Sequence, residues 1–147
     1  INPPRLELAK RLGATDAFDA RDSGWIEKVR AETYEGVDVL LEMSGAPAAM
    51  NQGFQALRNG GTAALLGLPA KNVHFDFNAH IIFKGCTVLG INGRKMWDTW
   101  YQMEQLLLSG KLELDEIITH EFPIEAFEKA FETMISGHGV KVLMNHE

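Results

Sequence analysis

The chain is poor in the residues that would build several common kinds of site. A single cysteine, Cys86, leaves no partner for an internal disulfide, which fits a reducing compartment. Lys and Arg number 14 against 20 Asp and Glu, a formal charge of −6. No basic stripe follows from that balance, which argues against a nucleic-acid partner and points to a small molecule. No stretch of about 18 apolar residues marks a membrane-spanning helix. Together these features set the expectation of a cytoplasmic protein. The five histidines, His74, His80, His120, His138 and His146, are scattered and have neither the helical pairing nor the cysteine neighbours of a metal site. Ser44-Gly45 lacks the earlier glycine of a nucleophile elbow and reads as a strand-to-helix turn. No internal repeat and no low-complexity linker interrupts the sequence.

What is present is an alternation of helix and strand patterns. The 147 residues, 46% of them hydrophobic, suffice for one core of ordinary domain size, roughly 100 to 150 residues. The first residue is Ile rather than Met, and the chain opens at the threshold of a helix, so a natural beginning further upstream is expected. Asn2 and the prolines at 3 and 4 start that helix and Gly13 stops it. WIEKVRAET is helical in period. VDVLLEMSG is a continuous apolar run expected to be a strand buried on both faces. PAAMNQGFQAL returns to helix. GGTAALLGLP and CTVLGI read as further buried strands, with VHFDF as a short extended segment between them. Such alternation requires crossover connections, hence a parallel sheet in a doubly wound α/β fold. From Arg94 the texture changes. KMWDTWYQMEQLLLSG is a long amphipathic helix with a broad apolar face, followed by strand-like IITHEF, helix-like IEAFEKAFETMISG and strand-like VKVLMN.

GGTAALLGLP, residues 60 to 69, resembles a phosphate-cradling glycine loop at first sight. Its glycines precede the strand, whereas a dinucleotide loop follows the strand and opens a helix. It therefore reads as a turn feeding a buried strand. In an open parallel sheet, ligands sit beyond the carboxyl ends of the strands, so MSG and LGLP line one crevice. Gly67 would let the backbone approach a flat ring, and Pro69 would fix the exit direction. The alternative, that both ends are ordinary turns, stands equally on these grounds.

Taken in order, NPPRLELAKRLGAT, GVDVLLEMSGAP, LRNGGTAALLGLP, IIFKGCTVLGINGR and the ending GKLELDEIITHEFPIEAFEKAFETMISGHGVKVLM resemble the C-terminal part of zinc-containing medium-chain dehydrogenases. Within that superfamily the L-threonine 3-dehydrogenases match best, through EMSGAP, IIFKG and the later arginine, methionine and tryptophan positions. The zinc polyol dehydrogenases share the pattern more loosely. The resemblance implies a fragment. The zinc ligands, the glycine fingerprint and the acid that ends the second strand would all lie upstream. Residues 1–92 would be the later part of a Rossmann domain. Residues 93–147 would form a domain interface and the return to the catalytic domain. It further implies NAD and zinc as cofactors, L-threonine as the small-molecule substrate, a homo-oligomer of tetramer type with the CTVLGI edge available for pairing, and no activity in the isolated chain. A polyol dehydrogenase and a non-catalytic nucleotide-binding or assembly module remain as alternatives.

Carried over position by position, the resemblance places Arg5 at the adenine ribose, a role that suits a guanidinium, although an exposed helix charge needs no function. Leu66, Gly67 and Leu68 match the segment passing the nicotinamide. Ile91 and Asn92 match the next strand end, whose backbone meets the carboxamide. Asn92 departs from the larger residue that relatives often carry there. Ser44 and Gly45 belong to the same crevice, and Lys141 matches a basic position near the pyrophosphate, or else is an exposed strand charge. His120 is expected to be a structural, half-buried histidine. Trp97 and Trp100 are expected to pack, or to meet another subunit.

Overall fold

A computed structural model describes residues 1–146. The chain divides into two compact units, residues 18–95 on one side and residues 1–17 with 96–147 on the other. Each is an α/β arrangement built on a parallel sheet.

The unit of residues 18–95 runs α2 (Trp25–Glu32), β1 (Val37–Glu42), α3 (Pro47–Ala56), β2 (Leu57–Leu65) and β3 (Thr87–Gly90). Its three strands lie in the order β1-β2-β3, all parallel. Helix α3 packs on β1 and β2, and Phe54, Leu57 and Ala63 are wholly buried between them. Phe75 meets Phe54 edge-on at a centroid distance of 4.9 Å. Val37, Leu40, Met50, Leu65, Ile81 and Cys86 close the core.

Strand β1 is not buried on both faces. Leu40 is half-buried and Glu42 buried, whereas Val39 and Leu41 are exposed. Asp38 interrupts the apolar run and pairs with Arg58, and α3 packs on the strand within this unit. The paired glycines also fall elsewhere than expected. Strand β2 already begins at Leu57, and Gly60 and Gly61 lie inside it, where the register against β1 jumps between Val37↔Leu57 and Val39↔Thr62. Gly60 has φ +69°, a conformation that glycine adopts without strain. VHFDF forms no strand. It leads instead into a π-helical turn, Asn78–Ile82, that buries His80 against Phe54 and Phe75.

That turn explains the lysine of IIFKG. The last carbonyls of a helix have no partner within it, and the Lys84 ammonium reaches three at the end of α3. It donates to Phe54 O at 2.7 Å, to Gln55 O at 3.4 Å and to Leu57 O. Partial burial pushes the Lys84 pKa below its ordinary value, with a smaller effect of the same sign from the charge of Arg30.

The second unit holds α1 (Pro3–Arg11), α4 (Asp98–Leu108), β4 (Ile118–Pro123), α5 (Phe127–Ile135) and β5 (Lys141–Asn145). The Asn2 side chain caps α1 by accepting from Arg5 N–H at 3.3 Å, with proline in its first turn and Lys10 and Arg11 in its last, as the helix dipole favours. Strands β4 and β5 pair in parallel, and α5 packs on both. His120 is half-buried, stacks on Phe122 and shares a hydrogen bond with Thr119 Oγ1 at 3.0 Å. Helix α4 leaves its apolar side chains exposed, with Trp97 71% accessible and edge-on to Trp100. Among the described residues, no helix is long and apolar enough to cross a membrane.

Candidate functional site

The carboxyl ends of the three parallel strands are level. Glu42 stands opposite Leu65, and Leu65 opposite Gly90. Their hydrogen-bond ladder continues past the strands. Leu66 N–H and Gly67 N–H both donate to the Glu42 carbonyl, at 2.9 and 3.1 Å, and Ile91 N–H donates to Leu65 O at 2.9 Å. Ser44 and Gly45, Leu66 to Leu68, and Ile91 with Asn92 therefore leave one edge of the sheet side by side, where a doubly wound sheet takes its ligands.

Glu42 organises this edge and was not singled out by the sequence reading. Only 4% of it is accessible. Its Oε1 accepts from Ser44 N–H at 3.0 Å and from the Ser44 hydroxyl at 2.5 Å. Gly45 N–H reaches Oε1 at 3.1 Å and Oε2 at 3.2 Å. The Ser44 oxygen in turn accepts from Ala46 N–H at 3.1 Å, which shapes the turn into α3. The available signal was an acid closing the strand VDVLLE two residues before the Ser44-Gly45 turn. A carboxylate buried there needs donors, and a turn backbone supplies them.

The strand ends touch through their glycines. Gly45 has φ +66°, and a Cβ on it would lie 2.6 Å from Leu68 O. A Cβ on Gly67 would lie 2.1 Å from Gly45 N and 2.5 Å from Glu42 Oε2. On the side a Cβ would occupy, Gly67 makes a close approach to Gly45 and Glu42. What faces outward is aliphatic. Leu68 is 90% accessible, and Leu66 and Ile91 are also exposed, as is Asn92 beside them.

Arg5 and Lys141 belong to the other unit. Arg5 Nη2 donates to Gly139 O at 2.8 Å, and Asn2 Nδ2 donates to Gly137 O at 3.2 Å, so the start of α1 is tied to the turn that enters β5. Lys141 is the first residue of β5 and is exposed. The guanidinium carries five N–H donors and can hold Gly139 O while offering others.

Two groups that a dehydrogenase uses can be tested against these residues. Among the described residues, no three or more His, Cys, Asp or Glu side chains cluster closely enough to hold a metal ion. This part of the chain does not fit a zinc site. A nicotinamide cofactor fits better, since a level row of strand-end backbone beside exposed aliphatic side chains offers both polar atoms for a carboxamide and a surface for a flat ring.

Comparison with known proteins gives the family. The sequence profile of the family described as zinc-binding dehydrogenase matches residues 1–109. The L-threonine 3-dehydrogenase of Idiomarina loihiensis is 47% identical over 147 residues, 99% of this chain and 42% of that protein. The L-threonine 3-dehydrogenase of Pyrococcus abyssi is 48% identical over 141 residues, 95% of this chain and 40% of that protein. The crystal structure of an alcohol dehydrogenase zinc-binding domain protein from Burkholderia ambifaria superposes with a TM-score of 0.85 at 34% identity, covering 97% of this chain and 40% of that one. The chain spans about 42% of the length of the curated relatives it matches. On the match of residues 1–109 and the identity carried along nearly all of its length, the chain belongs to the zinc-binding dehydrogenase family.

Proposed function

We propose that the protein carrying this chain is an NAD-dependent L-threonine 3-dehydrogenase and that the chain supplies the nicotinamide side of its cofactor crevice. The observation that carries the reading is the level row of strand ends at Glu42, Leu65 and Gly90, in a chain nearly half identical to proteins of that name. Bound NAD would accept the hydride from C3 of threonine, giving 2-amino-3-oxobutanoate, NADH and a proton. In this reading Ser44, Gly45, Leu66, Gly67 and Leu68 border the nicotinamide, and the backbone at Ile91 and Asn92 meets its carboxamide. Leu66, Leu68 and Ile91 shield one face of the ring from water. Arg5 and Lys141 serve the adenine ribose and the pyrophosphate.

Residues 1–92 form the later part of the cofactor domain, and residues 93–147 a domain interface and the return to a catalytic domain that holds the zinc. Residues 1–147 alone are then inactive. The cytoplasm as the working compartment and a homotetramer, with the open edge of β3 pairing to a second copy, complete the proposal. The experiment is an assay of NADH formation by the full-length protein with L-threonine and with sorbitol. Turnover of threonine supports the reading. Turnover of sorbitol with none of threonine assigns a polyol dehydrogenase instead, and failure of both with NAD leaves a non-catalytic module.

A further inference from the structure

We propose that Glu42 is a positioning residue for the nicotinamide half of the cofactor, acting through the backbones of Ser44, Gly45, Leu66 and Gly67; the inference rests on the reading of this edge as an NAD crevice. A buried carboxylate is unfavourable unless donors surround it, and an apolar side chain would close the strand at less cost to stability. Among the described ion pairs none involves Glu42. Its charge is held instead by three donors, all from the two residues after the next: Ser44 N–H, the Ser44 hydroxyl and Gly45 N–H. The same residue holds the neighbouring strand end through its main chain, since Leu66 N–H and Gly67 N–H both end on its carbonyl.

One residue thus grips both strand ends, the first with its side chain and the second with its backbone. Between them the space is already closed. Gly67 has no room for a methyl group against Gly45 N and Glu42 Oε2, and Gly45 has none against Leu68 O. A loss of the carboxylate grip frees the Ser44-Gly45 turn to shift, and Leu66 to Leu68, packed against that turn, can shift with it. Those are the residues that border the ring. The adenosine end of the cofactor is assigned to Arg5 and Lys141, which Glu42 does not touch. The effect should therefore divide the cofactor in two.

The test uses the full-length protein with Glu42→Gln and Glu42→Ala. Glutamine keeps the size and can keep the oxygen that faces Ser44, but it sets an NH2 group opposite Gly45 N–H. Alanine removes every acceptor. Dissociation constants are measured for NADH and for ADP-ribose, which lacks the nicotinamide, alongside the thermal midpoint. A loosened turn must be ordered again when the ligand binds, which costs affinity, so NADH binding should weaken about 10-fold in Glu42→Gln and more, on the order of 100-fold, in Glu42→Ala, with ADP-ribose held within about twofold. If the alanine variant does not fold, the glutamine variant decides. Unchanged NADH binding, equal weakening for both ligands, or loss of the folded state in Glu42→Gln overturns the positioning role and leaves the cofactor reading intact. A wild-type protein that binds neither ligand overturns the cofactor reading itself, and the role of Glu42 with it.

Discussion

Replacing Lys84 with methionine keeps most of the side-chain volume and removes the ammonium that closes α3. Three carbonyls lose their donor: Phe54 O, Gln55 O and Leu57 O. Phe54 and Leu57 are wholly buried residues, so water has poor access to the oxygens left behind. A hydrogen bond to a charged donor contributes about 1.5 to 3 kcal/mol net, and an orphaned buried acceptor costs about 1 to 3 kcal/mol. Against these stand the desolvation of the ammonium and roughly 2 kcal/mol of lysine side-chain entropy. The net loss on Lys84→Met should be about 2 to 3 kcal/mol. The sensitive reporter is the Leu57 amide, which closes the helix by donating to Gly53 O. Its hydrogen-exchange protection should fall roughly 30- to 140-fold, at tenfold per ~1.4 kcal/mol.

The pH dependence has a definite sign. Burial lowers the folded-state pKa of Lys84 below the ordinary 10.5, so between the two values the unfolded chain binds the extra proton and stability rises with pH. The advantage of the wild type over Lys84→Met should therefore grow as pH climbs through that window and level off above 10.5. Unchanged protection at Leu57, or an advantage that shrinks toward alkaline pH, would refute the reasoning.

Phe54→Ala empties the centre of the β1–α3–β2 core and should cost ~3 to 5 kcal/mol, read as a lowered denaturation midpoint. Gly67→Ala drives a methyl group into Gly45 N and Glu42 Oε2. Such overpacking costs about 1 to 3 kcal/mol or more, and NADH binding by the full-length protein should weaken with it, as checked by fluorescence titration. Arg5→Ala should weaken ADP-ribose binding by about tenfold, the size of one lost charge-assisted hydrogen bond. An unchanged titration would reduce Arg5 to its bond with Gly139 O.

The elements were legible where local chemistry decides them. Asn2 with its prolines specified α1, and the apolar runs specified β1, β2 and β3 in the order the structure has them. The misses have tertiary causes. The glycines at 60 and 61 look like a turn because glycine in a strand is usually punctuation, yet here they absorb a register jump between β1 and β2. The burial expected on both faces of β1 follows from composition alone, while the actual cover is α3 on one face. The lysine of IIFKG served as a family marker, and its contact lies across the fold, 30 residues from Phe54. Of the site, the strand ends were readable from position in a parallel sheet. Glu42 was not, because an acid at a strand terminus usually faces water, and it takes the folded turn, with Ser44 and Gly45 donating to its carboxylate and Gly67 packed against it, to show it turned inward.

The central claim is that Ser44–Gly45, Leu66–Leu68 and Ile91–Asn92 border the nicotinamide of a bound cofactor. A crystal structure of the full-length protein with NADH tests it most directly. The account predicts the ring within van der Waals distance, about 4 Å, of Leu66 to Leu68, with its carboxamide hydrogen-bonded to backbone at Ile91 or Asn92. A ring bound away from all three strand ends would contradict it.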